Sequence, residues 1–191
     1  VPVNVPNLLT WLRIIAIPLL VLLFYLPDTW VRPHDRNLYA CVLFTAAAVT
    51  DWLDGYLARR LNQMSAFGAF LDPVADKLIV AVALIMLVKL GRVPDFIAVI
   101  IIGREITISA LREWMAKLGQ AKSVAVNFLG KIKTVAQLVA IPLLLYHDPI
   151  GRWFDPQQVG TWLIYLAAAL TIVSMAYYLK LAGPHAFGTG G

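Results

Sequence analysis

Six long, mostly apolar stretches divide the chain, at about 7–26, 37–61, 68–90, 93–117, 126–147 and 159–181. Each approaches or exceeds the roughly 20 residues that carry a helix across a hydrocarbon layer. The breaks fall at turn-forming chemistry: Pro27, Pro33, "GRVPD" at 91–95, Gly119 and "HDPIGRWFDP" at 147–156. The pattern predicts an all-α integral membrane protein, a bundle of six transmembrane helices. No internal repeat, low-complexity tract or long linker interrupts it. One domain is therefore expected over 1–182, with 183–191 a tail or cloning remnant. The first apolar run is long enough to span and lacks a small-residue cleavage site, so no cleavable signal peptide is expected.

Composition strengthens this reading. Of 191 residues, 60% are hydrophobic and 14% charged, whereas soluble domains sit near half and about a quarter. Cys41, alone in an apolar run, excludes an internal disulfide framework and offers no metal-ligand spacing. The net charge of +5 is dispersed among the spans, which disfavours nucleic acid and favours anionic headgroups or a phosphorylated substrate. Arg13, Arg59, Arg60, Arg112, Lys117, Lys122, Lys131, Lys133 and Lys180 fall near one face of such a bundle. Arg32, Arg36, Lys89, Arg92 and Arg152 fall near the other, so both termini are expected in the cytoplasm.

Against this apolar background, "TDWLDGYLARRLNQMSAFGAFLDPVADKL" (50–78) holds four carboxylates. Asp51 and Asp54 are three residues apart, Asp72 and Asp76 four apart, so each pair shares a helix face. Two helices joined by a short turn then face each other with two acids apiece. Such a cluster is costly near hydrocarbon unless a cation compensates it. Oxygen donors without His or Cys suit Mg²⁺, Mn²⁺ or Ca²⁺. Gly55, Ala58 and Gly68 admit a bulky ligand, and Arg59 can balance its charge. Pro73 loosens the helix beside the site by freeing the carbonyl of Ala69. Solvated helix ends, or ion pairs with Arg59, Arg60 and Lys77, are the blander alternatives; four acids at these spacings favour the cation site.

A second charged group occupies the fourth and fifth stretches. Arg104 lies inside "FIAVIIIGREITISAL", where an unpaired cation is expensive. It either pairs with a nearby acid or shares an anionic phosphate with Arg112, Lys131 and Lys133; the two lysines alternatively anchor headgroups. Trp11, Trp30, Trp114, Trp153, Trp162, Tyr177 and Tyr178 read as interfacial anchors. His34, His147 and His185 are expected in loops without a catalytic role, and Asp95 and Glu113 as surface charges.

The segment "DWLDGYLARRLNQMSAFGAFLDPVAD" resembles the signature of the CDP-alcohol phosphotransferases, D-x-x-D-G-x-x-A-R-x(8)-G-x-x-x-D-x-x-x-D. Asp51, Asp54, Gly55, Ala58, Arg59, Gly68, Asp72 and Asp76 fill its fixed positions. The resemblance implies a six-helix membrane fold, a homodimer, and a polar cavity open to the cytoplasm. It implies that Asp51, Asp54 and Asp72 bind a pair of Mg²⁺ or Mn²⁺ ions, with Asp76 completing the metal site and acting as general base. Gly55, Arg59 and Gly68 would line the cytidine-diphosphate pocket, joined by Asn7 and Thr10.

The segments "VPNLLTWLRIIAIPLLVLLFYLP", "GREITISALREWMAKLG" and "GKIKTVAQ" resemble bacterial family members that use glycerol 3-phosphate. These transfer a phosphatidyl group from CDP-diacylglycerol at the inner membrane and release CMP. The basic residues Arg104, Arg112, Lys131 and Lys133 agree with an acceptor that already bears a phosphate. Members making phosphatidylinositol phosphate or cardiolipin share the signature and stand as the alternative. A cation transporter is the rival from another class, but the acids lie at one face rather than the midplane.

Overall fold

The computed structural model describes residues 5–61, 66–117 and 128–186, with side chains described except at 5–8, 52, 54–61, 66–70, 128–129 and 181–186. It contains six helices: α1 (Val5–Leu23), α2 (Pro33–Leu61), α3 (Ala66–Lys89), α4 (Asp95–Lys117), α5 (Phe128–Tyr146) and α6 (Pro156–Ala186). No strand occurs among the described residues; Ile150 and Phe154 form an isolated bridge.

The helix ends follow local chemistry. Pro33 opens α2 earlier than expected, because a proline in the first turn forfeits only an N–H that would be unbonded anyway. Asp155 caps α6: its carboxylate accepts from the N–H groups of Gln157 (3.0 Å) and Gln158 (3.4 Å), with Pro156 between. α6 then continues to Ala186, past the expected end at 181. The α3–α4 turn is a Schellman closure. Gly91, at φ +69°, donates to Val88 O at 2.9 Å, and Arg92 N donates to Leu87 O at 2.9 Å. His147, at φ 63°, ends α5 in the same left-handed region. His34 is not in a loop but in the first turn of α2, and the backbone at His185 is helical.

α1 lies against α2 and α3, α5 runs along α6 and α2, and α4 packs on α6 and α3. Leu20, Phe44, Leu84, Ile101, Ile141 and Leu144 are fully enclosed at the centre. α5 and α6 approach so closely that a Cβ on Gly160 would lie 2.8 Å from the Leu144 side chain and 3.2 Å from the Ala140 carbonyl.

Polar side chains join the apolar ones inside the bundle. Thr10, Arg13, Asn37, Arg104, Lys133, Gln137, Thr171 and Ser174 are buried, while large apolar side chains cover the outside. α1 displays this within one helix. Leu12, Ile15, Leu19 and Leu22 form its outward stripe, and Thr10, Arg13, Ala16, Ile17 and Leu20 its inward one. Judged by length and composition alone, Pro156–Lys180 is the described helix that qualifies to cross a membrane unaided, and Leu9–Leu23 is apolar but shorter. α2, α3 and α4 interrupt their apolar runs with charged residues.

At the end of the bundle remote from the Asp cluster, Arg92 ties three elements together. Its guanidinium donates to the carbonyls of Leu144 (3.0 Å) and Leu145 (2.7 Å), in the last turn of α5, and to Asn37 Oδ1 (2.7 Å) on α2. A cation there also complements the negative end of the α5 dipole. Burial pushes the Arg92 pKa down and nearby Asp148 pushes it up, burial being the larger effect. Arg92→Ala is expected to lower stability by about 3 kcal/mol, because two carbonyls and an amide oxygen lose a charged donor. Thermal unfolding of the detergent-solubilised protein checks this.

Candidate active site

Three helices converge at the other end. α1 supplies Thr10 and Arg13, three residues apart and both almost fully buried. α2 supplies Asp51, and α3 supplies Asp72 and Asp76, one turn apart. Thr10 Oγ1 donates a hydrogen bond to Asp72 Oδ1. Arg13 Nη1 donates to Asp76 Oδ1 at 2.6 Å and lies 3.1 Å from Asp51 Oδ1. The side chains of Asp51 and Asp76 are 42% and 40% exposed, whereas that of Arg13 is fully enclosed. One buried guanidinium therefore draws acids from two helices to a common point.

This convergence tests whether the residues suit a metal. Carboxylate oxygens from α2 and α3 come within 3.1 Å of a single cationic nitrogen, and the donors are all hard oxygens. Such a set fits Mg²⁺ or Mn²⁺. Among the described residues, no three Asp, Glu, His or Cys side chains form a ready-made metal cluster. The side chains of Asp54, Asn7 and Arg59, and the surroundings of Gly55 and Gly68, lie outside what the structure describes; the backbones are helical, in α1, α2 and α3.

A cavity of about 310 Å³ opens beside the acids. Its wall joins Arg13, Asp51 and Asp76 to Lys77, Arg112 and Lys133, with Phe44, Ile79 and Leu138 as apolar lining. Two of the four expected acceptor-phosphate residues, Arg112 and Lys133, thus reach the same space as the acids. Arg104 lies behind that wall. Its guanidinium is 3.2 Å from Glu105 Oε1 and 3.3 Å from Ser174 Oγ. Lys131 is exposed on α5 and stands outside the described cavity wall.

Glu105 organises this basic side. It accepts from both Arg104 and the Lys133 ammonium, so the pairing of Arg104 with an acid is realised by its own chain neighbour. Tyr178 adds a second link. It was expected at the membrane interface, but it is fully buried, with the guanidinium carbons of Arg104 and Arg112 each 5.7 Å from its ring centre. Trp30, Trp153 and Trp162 do lie exposed, Trp153 at 99%. Glu113 pairs on the surface with Lys117 at 3.0 Å.

Comparison with known proteins bears on this arrangement of acids facing cations. Residues 3–173 match the family model described as CDP-alcohol phosphatidyltransferase. The chain belongs to the CDP-alcohol phosphatidyltransferase family. Relatives from Shigella flexneri serotype 5b (strain 8401), Shigella boydii serotype 4 (strain Sb227) and Escherichia coli (strain K12) are each 50% identical to it over 181 residues. The match spans 94% of this chain and 94% of each relative. All three carry the name CDP-diacylglycerol–glycerol-3-phosphate 3-phosphatidyltransferase.

Within this member of the family, Arg13 is the site residue that sequence reasoning passed over, counting it only as a charge that sets orientation. Its signal was present: a lone cation in an apolar run, three residues after Thr10. Arg13→Ala is expected to destabilise the protein by about 2 kcal/mol, less than a fully buried pair because both acids are partly exposed. Arg13→Lys, which keeps the charge, is expected to recover part of that loss in thermal unfolding.

Proposed function

We propose that the chain transfers the phosphatidyl group of CDP-diacylglycerol to glycerol 3-phosphate, releasing CMP. The observation that carries this reading is a cavity whose wall has Asp51 and Asp76 on one part and Arg112 and Lys133 on another. The names of relatives 50% identical over nearly the whole chain support it.

In this reading Asp51, Asp54, Asp72 and Asp76 hold a pair of Mg²⁺ or Mn²⁺ ions. When bound, they supply Lewis-acid neutralisation of the pyrophosphate charge. Asn7, Thr10, Gly55, Arg59 and Gly68 accommodate the cytidine diphosphate. Thr10 steadies Asp72, and Arg13 orients Asp76 and Asp51. Asp76 takes the proton from the attacking hydroxyl, an alcohol being a weak nucleophile until a positioned base removes it. The hydroxyl oxygen bonds to the phosphorus that carries diacylglycerol, and the bond from that phosphorus to CMP breaks. Arg112 and Lys133 bind the acceptor's phosphate. Arg104 supports them from behind through Glu105 and Tyr178, and Lys131 attracts anions at the exposed end of α5.

The setting proposed is a bacterial inner membrane, with all six helices spanning, the cavity open to the cytoplasm, residues 1–182 as one domain, and a homodimer as the working unit. The buried polar face and apolar exterior support the membrane placement, since charged side chains in such bundles face the interior.

The deciding experiment supplies purified protein with CDP-diacylglycerol, Mg²⁺ and a panel of acceptor alcohols, following CMP. Release is expected with glycerol 3-phosphate, to stop with EDTA, and to return with Mg²⁺ or Mn²⁺. Release with inositol phosphate or phosphatidylglycerol instead would move the chain to another branch of the family. Ion flux into liposomes without lipid substrate would favour a transporter. Asp76→Asn is expected to keep binding CDP-diacylglycerol while turnover falls by roughly 10²–10⁴, the usual contribution of a positioned base. Normal turnover in that variant removes Asp76 from the role.

A further inference from the structure

One polar group on the cavity wall has no part in the steps above. Gln137 lies on α5 four residues beyond Lys133, lines the same cavity, and is only 5% exposed. Its side-chain oxygen has no hydrogen-bond partner among the described residues. A buried acceptor left unmet weakens the fold, so a donor arriving with a ligand would recover what the fold gives up. Thr134, the other uncharged polar side chain on the described wall, is already committed: its hydroxyl donates to the Gly130 carbonyl at 2.9 Å.

A three-carbon polyol phosphate presents three features to such a wall. Its phosphate suits Arg112 and Lys133, and its attacking primary hydroxyl suits Asp76. The secondary hydroxyl between them is a donor that needs an acceptor. Four residues of helix place Gln137 about 6 Å along α5 from Lys133, on the same face. Oε1 is itself enclosed, and rotation about the broad terminal amide torsion is the motion that presents it to the cavity.

We propose that the side-chain oxygen of Gln137 accepts a hydrogen bond from the acceptor's secondary hydroxyl. It is thereby a specificity-determining residue for glycerol 3-phosphate over phosphorylated alcohols that lack this group. The assignment rests on the acceptor reading above and extends it.

The test compares glycerol 3-phosphate with 3-hydroxypropyl phosphate, which has the same phosphate and primary hydroxyl but no secondary one. In the unaltered protein, kcat/KM from CMP release is expected to favour glycerol 3-phosphate by roughly 10- to 100-fold. Gln137→Leu, close in volume, is expected to bring that ratio to within about threefold by removing the paired partner. Its KM for CDP-diacylglycerol should stay unchanged. A ratio that persists in Gln137→Leu, or in Gln137→Met should the first variant fail to fold, overturns the proposal. So does equal use of the two acceptors by the unaltered protein, which needs no variant at all. CMP release with neither phosphorylated acceptor, but with some other alcohol, overturns the acceptor reading first and this assignment with it.

Discussion

A guanidinium enclosed in an apolar bundle is stable only where carboxylates meet it, and among the described residues Arg13 meets Asp51 and Asp76. Removing that cation from water costs several kcal/mol, a cost offset only if Asp51 and Asp76 are brought to it from separate helices. The pairing thus joins the apolar contacts of Ala16, Ile17 and Leu20 in holding α1 against α2 and α3. It also places Asp51 and Asp76 beside a fixed positive charge, at one end of the bundle. The α1 hydroxyl on Asp72 repeats the device with a neutral donor.

The basic side is built by the same logic with the signs exchanged. Glu105 is the anion that makes two enclosed cations, Arg104 and Lys133, tolerable together. Tyr178 presents its π face to Arg104 and Arg112 and brings the two guanidinium groups into one neighbourhood. At the far end Arg92 does comparable work for backbone carbonyls. Each polar junction couples segments distant in the chain, and the apolar middle supplies the packing between them.

Much of this was legible beforehand, for physical reasons. Prolines, Gly91 and the polar turns marked helix ends because they act locally, and all six helices fall close to the stretches read from the hydrophobic pattern. The acids stood out because carboxylates are rare in such surroundings. What escaped were the partners. Arg13 meets Asp76 across 63 positions of sequence, a pairing no local periodicity reveals. Tyr178 looked like an interfacial ring, since burial depends on which face α6 turns inward. Arg104 and Lys133 are recognisable as cations, but their shared acid is visible only in the fold, where the Lys133 side chain of α5 reaches Glu105 on α4.

The acids and the groups that position them are carried by α1, α2 and α3, whereas the cations facing them belong chiefly to α4 and α5. In an enzyme of the proposed kind, the nucleotide-handling part and the alcohol-handling part would be separate inheritances housed under one roof. Descent could then rewrite the later helices to greet a new alcohol while the earlier ones kept their chemistry unaltered.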